Sequence, residues 1–206
     1  MNTISNTQKK IGIFSAKGIA QIGVMSAISM VLMMIEIPLW FAPSFYKIDL
    51  SEIPILIGSF AIGPLAGVFM ELIKNLLILV IKGSTTGGIG ELANFIIGCA
   101  LVVPSAVIYQ RGKTKKHAVI GLAVGTAFLI IAGCLLNSFV LLPVYANVFH
   151  MPLSALVQMG SAVNPAITDL TTFVLFAVAP FNLLKGVLVS VITILVYKKV
   201  SPILHR

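Results

Sequence analysis

Lys185 and Asn182 stand three residues apart in an apolar stretch near the C-terminus, and a lysine in such surroundings needs a chemical reason. An ionised side chain near the centre of a bilayer costs about 2.5–3.5 kcal/mol even on the lenient insertion scale. Both residues follow Pro180 and share one helical face, within the first turns, where the helix dipole disfavours a cation. Hydrogen bonding to an enclosed ligand would justify the pair; so would a lysine snorkelling to headgroups beside an asparagine that caps the helix. Glu71, Lys74 and Asn75 form a second set, whose i, i+3, i+4 spacing turns them to one inward face. They suit a ligand, or a self-neutralising Glu71–Lys74 pair that holds helices together. Glu91 and Asn94 open a later apolar stretch. A carboxylate is favourable at a helix N-terminus by dipole alone. Asn94 has no such explanation, and its two donors and one acceptor match the edge of a planar heterocycle.

Tyr46 heads the passage Tyr46-Lys47-Ile48-Asp49-Leu50-Ser51-Glu52-Ile53-Pro54, preceded by Trp40, Phe41, Pro43 and Phe45. This composition suits an aromatic belt at a membrane interface, or a lid that caps a ligand with apolar and hydrogen-bonding groups. Asn137, Asn147 and Asn164 are weaker polar candidates. The chain lacks GxSxG, HExxH and GxxxxGK[ST], and its glycine-rich 82–90 loop does not end in the Lys-Ser/Thr pair of a phosphate cradle. ATP chemistry is therefore not encoded in it. His117, His150 and His205 fall at the edges of apolar stretches on different sides, which disfavours a metal cluster or a Ser-His relay. Cys99 and Cys134 lack metal spacing and read as small buried hydrophobes.

The elements that must position these residues are membrane passages. Of 206 residues 58% are hydrophobic and only 10% charged, too few for the surface of a water-soluble globule. Ten of the fourteen Lys/Arg fall in three clusters, Lys9/Lys10/Lys17, Arg111/Lys113/Lys115/Lys116 and Lys198/Lys199/Arg206. Lipid headgroups and membrane orientation explain this net charge of +8 better than nucleic acid does. Positive residues stay on the cytoplasmic side, so both termini and the 111–116 loop are expected there. The apolar stretches predict spans over 18–38, 53–62, 64–82, 91–109, 118–142 and 181–200; the second is too short to cross unless neighbours shield it. The long section 143–179 contains no Lys or Arg, as expected outside, with 153–163 and 166–178 as amphipathic or re-entrant helices. The expected fold is an all-α integral membrane bundle of six transmembrane helices. It comprises a cytoplasmic segment 1–17, one domain 18–200 and a cytoplasmic tail 201–206. Gly23 and Ala27, with Ala16 and Ala20 before them, form a small-residue face on the first helix, suited to internal packing or to a partner helix.

Six helices together with Asp49-Leu50-Ser51-Glu52-Ile53-Pro54, Gly90-Glu91-Leu92-Ala93-Asn94-Phe95 and Asn182-Leu183-Leu184-Lys185-Gly186 carry a resemblance. Over residues 18–200 the chain resembles the riboflavin-specific substrate-binding (S) components of energy-coupling factor (ECF) transporters. The resemblance implies a multi-pass subunit of the cell membrane that binds riboflavin from outside as transported ligand, not as cofactor, and performs no chemistry on it. It implies docking on a transmembrane coupling protein with two ATPases. Asn182 and Lys185 would lie in the pocket, the loop after the first helix would gate it, and small residues of the first helix would meet the coupling protein. The alternatives are an S component for another vitamin, a membrane-embedded enzyme using Glu71, Lys74 or Glu91, and an assembly subunit without a ligand site.

The positive-inside pattern yields a labelling test. In intact cells, a cysteine placed near Ser84 is expected to react with an impermeant thiol reagent, and one near Lys115 to be protected. Equal labelling at both positions would remove the six-span arrangement.

Overall fold

A computed structural model describes residues 12–40, 43 and 46–204. Lys9, Lys10, Phe41, Phe45 and Arg206 lie outside the described residues, as do the side chain of Lys198 and most of the expected 1–17 segment. Helix α1 (Ala16–Met33) starts where the Ser15 side chain accepts a hydrogen bond from the Gly18 amide. Its buried residues Gly18, Ile22, Ser26 and Ser29 recur every three or four positions and form one inward stripe. The helix ends earlier than the 18–38 span expected. Ile37 and Pro38 instead form β1, which pairs antiparallel with β2 (Lys47–Ile48) and folds the intervening loop back on itself.

Helix α2 (Glu52–Ile62) reaches roughly 16 Å at 1.5 Å per residue, about half of a hydrocarbon core. Every residue from Glu52 to Ala61 is buried, because α1, α3, α4 and α9 pack around it. Shielding by neighbours thus removes the length problem that its sequence posed. It ends at Gly63, whose φ of 138° only glycine adopts readily, and Pro64 then opens α3 (Pro64–Lys82) with its missing N–H at no cost. The buried face of α3 runs through Ala66, Met70, Glu71, Lys74, Asn75 and Ile78, which turns the polar triplet inward as its spacing predicts.

Helix α4 (Ile89–Gly112) leads through the basic turn to α5 (Lys115–Leu136). The fifth passage does not stop near residue 142. A π turn, Asn137–Leu141, joins α5 to α6 (Leu142–Val148), so a single helical run extends over Lys115–Val148. Helix α7 (Leu153–Ser161) occupies most of the expected 153–163 segment. The expected 166–178 segment is not a separate helix. Asp169 caps α8 (Leu170–Phe173), which continues through a second π turn, Val174–Val178, into α9 (Ala179–Leu204). Pro180 therefore lies inside a helical run instead of opening one. Each π turn ends two residues before a proline, Pro143 or Pro180, whose ring has no N–H and collides with the carbonyl four residues back. The widened turn accommodates the proline without breaking the helix.

Among the described residues, five helical runs are long and apolar enough to cross a membrane, with the shorter α2 enclosed among them. The β1–β2 clip is the one strand pairing among the described residues, which fits an all-α membrane bundle. One core, around Ile55, Leu56, Phe60, Met70, Leu101 and Leu122, surrounds α2. A second, smaller one gathers Tyr46, Leu142, Leu156, Ile167, Phe173 and Val178 beneath the loop after α1.

Candidate ligand-binding site

A cavity of about 400 Å³ opens where the loop after α1, the turn before α4, the α5–α6 run and α9 converge. It falls within the 300–1,000 Å³ range of small-molecule sites. Its apolar walls come from Met33, Ile97, Leu141, Tyr145, Phe149 and Phe181. Polar groups reach it from four elements: Asp49 from the loop, Asn94 from α4, Asn137 from the π turn, and Asn182 with Lys185 from α9.

Each polar group is anchored before any ligand enters. The Lys185 ammonium donates to Asp49 Oδ2 at 2.9 Å, and both residues are 8% exposed. The other Asp49 oxygen accepts the Ser51 amide at 2.9 Å. Burial pushes the Asp49 carboxyl up, but the charges of Lys185 and Lys74 and its hydrogen bonds outweigh burial and hold it well below the ordinary carboxylate value. Lys185 is therefore paired inside the protein and does not snorkel. Asn182 does not cap a helix either: its amide donates to the Val178 carbonyl at 2.9 Å, within the widened turn. It fits because Gly133 faces it, where an added Cβ would meet Asn182 Nδ2 at 2.6 Å. Asn137 donates to the Gly133 carbonyl at 2.8 Å and accepts the Tyr46 hydroxyl at 2.6 Å. Tyr46 also packs against Phe181, ring centroids 5.0 Å apart. Burial raises its hydroxyl well above the usual phenol value, which keeps it a donor.

The predicted loop divides into two parts. Tyr46 lines the cavity, whereas Trp40 is 89% exposed and suits the interfacial belt. Glu36 at the mouth accepts from Lys47 at 2.5 Å and from Lys82, joining the end of α1 to β2 and to the end of α3.

Glu71, Lys74 and Asn75 do not reach the cavity. Lys74 is fully buried between Glu52 Oε1 and Glu71 Oε2, each at 2.8 Å, so its carboxylate partners are two and one comes from α2. Asn75 accepts from Asn94 Nδ2 at 2.9 Å and donates to the Glu71 carbonyl at 2.8 Å. Gly98 leaves the space that Glu71 fills, since a Cβ there would lie 2.6 Å from the Glu71 carboxyl carbon. Glu91, in the first turn of α4, accepts the Ser84 hydroxyl at 2.7 Å, and Ser84 in turn accepts the Gly88 amide at 2.8 Å. These bonds and that of Gly90 N to Thr86 Oγ1 pin the glycine-rich 82–90 loop. None of the three residues proposed for acid–base work lines the cavity. Asp49 and Asn137 were the underrated ones. The pairing of Asp49 with a lysine 136 residues away has no local signature in the sequence.

Residues 17–197 match the family of ECF transporter substrate-specific components. The chain belongs to that family. It is 33% identical to "Riboflavin transporter FmnP" of Bacillus subtilis (strain 168) over 189 residues, covering 90% of this chain and 93% of the relative. "Riboflavin transporter RibU" of Staphylococcus aureus (strain TCH60) is 31% identical over 201 residues, covering 98% and 99%. A solved structure described as the S component of a bacterial ECF transporter superposes with a TM-score of 0.70 at 30% identity, covering 91% of this chain and 97% of that one. This S component is a multi-pass membrane protein of a transport system, not an enzyme.

The buried Asp49–Lys185 pair has a measurable consequence. Asp49→Asn leaves the ammonium without its counter-charge and is expected to lower stability by about 3–5 kcal/mol at neutral pH. Because Asp49 is held below its ordinary value of 3.8, its contribution is full above that pH and fades as the pH falls below it. The melting-temperature gap between parent and Asp49→Asn in detergent should therefore narrow in acid; a gap absent at pH 7 would show that the pair does not anchor the loop.

Proposed function

We propose that this chain is the riboflavin-binding subunit of an ATP-driven vitamin importer, taking up its ligand from the extracellular side. The observation that carries the reading is the cavity, with three asparagine amides and an internally neutralised lysine among apolar and aromatic walls. Riboflavin is neutral and amphipathic. Its flat ring system suits enclosure by Phe181, Tyr46 and Ile97, and its ring carbonyls and ribityl hydroxyls require donors and acceptors. Amides meet both needs at once, since Asn94, Asn137 and Asn182 each combine a donor with an acceptor. Lys185 adds donors, and its pairing with Asp49 removes the need for an anionic ligand. The names of the Bacillus subtilis and Staphylococcus aureus relatives support the choice of vitamin.

Orientation follows from α4. Gly90 lines the cavity at its start and Arg111 lies near its end, about 30 Å away along the axis. With the basic turn and both termini cytoplasmic, the cavity opens outward and the loop from Glu36 to Ser51 covers it as a gate. No nucleotide motif is present, so energy comes from a coupling protein and two ATPases, while binding needs neither. Asn182→Ala and Lys185→Ala are each expected to weaken riboflavin binding by about 1–3 kcal/mol, measured by flavin fluorescence quenching without ATP. A panel of other vitamins titrated alongside decides identity: tight binding of a different one, with none of riboflavin, would overturn the choice of ligand.

The first helix is the candidate face for the coupling protein. Ala16, Ala20, Gly23 and Ala27 are all exposed, and an added Cβ at Gly23 would meet nothing within 4 Å. Small residues there let a partner helix approach closely. Gly23→Leu and Ala27→Leu are expected to abolish uptake in cells while leaving riboflavin affinity and melting temperature unchanged. Retained uptake in both variants would exclude this face as the coupling surface.

A further inference from the structure

The cavity's polar wall is held from behind by side chains that never reach it. From Lys185 the connection runs to Asp49 Oδ2 at 2.9 Å, and from Asp49 Oδ1 to the Ser51 amide at 2.9 Å. The Ser51 hydroxyl lies 3.4 Å from the Lys74 ammonium, which also contacts Glu52 and Glu71 at 2.8 Å. On the far side, Glu71 Oε2 accepts from Asn75 at 3.4 Å, and Asn75 Oδ1 accepts from Asn94 at 2.9 Å. One buried relay therefore joins the loop, α2, α3, α4 and α9, and it begins and ends on side chains that line the cavity, Lys185 and Asn94.

We propose that Lys74 and Asn75 are positioning residues for ligand binding: they fix Lys185 and Asn94 in the cavity wall without touching the ligand. Stability alone is a weak account of the set. Replacing a buried ionic group of this kind by apolar residues of similar volume is often neutral or stabilising. Placement is a better one, because Lys74 is fully buried and meets three residues, Ser51 before α2, Glu52 within it, and Glu71 on its own helix. A binding constellation needs its side chains held from behind, to within a fraction of an ångström. The asparagine is specific in the same way: its amide donates toward Glu71 and presents its oxygen to Asn94, whose amide nitrogen also reaches Met33 Sδ at 3.8 Å, which leaves the Asn94 amide oxygen for the cavity.

The inference rests on the cavity being the riboflavin site, so parent protein is titrated first; failure of the parent to bind riboflavin refutes that reading and this one with it. Given a binding parent, the test is the neutral triple variant Glu52→Gln/Glu71→Gln/Lys74→Met, which removes the ionic set together and leaves no unpaired charge behind. It is expected to melt cooperatively near the parent temperature yet bind riboflavin about tenfold or more weakly. Lys185→Ala should cost less in this background than in the parent, since Lys185 is already displaced. Parent-like affinity in the folded triple variant, or additive penalties, would overturn the proposal. Where the triple variant fails to fold, Asn75→Leu decides. Weakened binding with an unchanged melting temperature, and a reduced further effect of Asn94→Ala, supports positioning; unchanged affinity refutes it.

Discussion

The interaction that sets the path of the loop and of α2 is the burial of one lysine, Lys74, against two glutamates inside the protein. Removing charges from water costs several kcal/mol per ion even after relaxation, and only close pairing offsets that cost. The requirement dictates geometry. Glu52 can reach Lys74 only if the start of α2 lies deep against α3, so the loop preceding it is drawn inward as far as Ser51 and Asp49. Non-helical backbone at that depth is tolerated when protein surrounds it or when it lines a cavity, and here it does both. The shortness of α2 belongs to the same arrangement: with other helices around it, the helix has no lipid contact to satisfy and no membrane thickness to match.

Much of this was legible because polar residues in apolar stretches are few and each needs an account. Asn94, Asn182 and Lys185 stand out that way, Tyr46 by its place in the aromatic passage after the first helix, and all four line the cavity. The inward face of Glu71, Lys74 and Asn75 was legible from spacing alone, since α-helical periodicity fixes which residues share a face. What they face was not. The choice of Glu52 as second partner, 22 positions before Lys74, is set by how α2 and α3 meet, and no local pattern encodes it. The helix ends at Pro143 and Pro180 were misplaced for a different reason. Proline ordinarily stops a helix, but a π turn before it absorbs the missing bond, and its formation depends on neighbours in space. That same pair of turns carries Asn137 into the cavity wall and supplies the Val178 carbonyl that holds Asn182, so the elements that local proline rules misplace also shape the cavity.

The ion pairs of the site fall into two energetic classes. At the mouth, the side chains of Glu36, Lys47 and Lys82 are 29–49% exposed, in a range where each pair contributes about 0–1 kcal/mol and salt weakens it further. At the floor, Lys185 and Asp49 are nearly buried and Lys74 wholly so, and separating either lysine from its carboxylate would strand a charge in a low-dielectric interior. On the proposed reading of this loop as a gate, a ligand entering past it would displace the outer contacts and leave the inner ones standing. The division falls between Lys47 and Asp49, at the end of β2. Opening there would cost weak, screened pairs and the short β1–β2 pairing, while the buried Lys185–Asp49 bond behind them would stay in place.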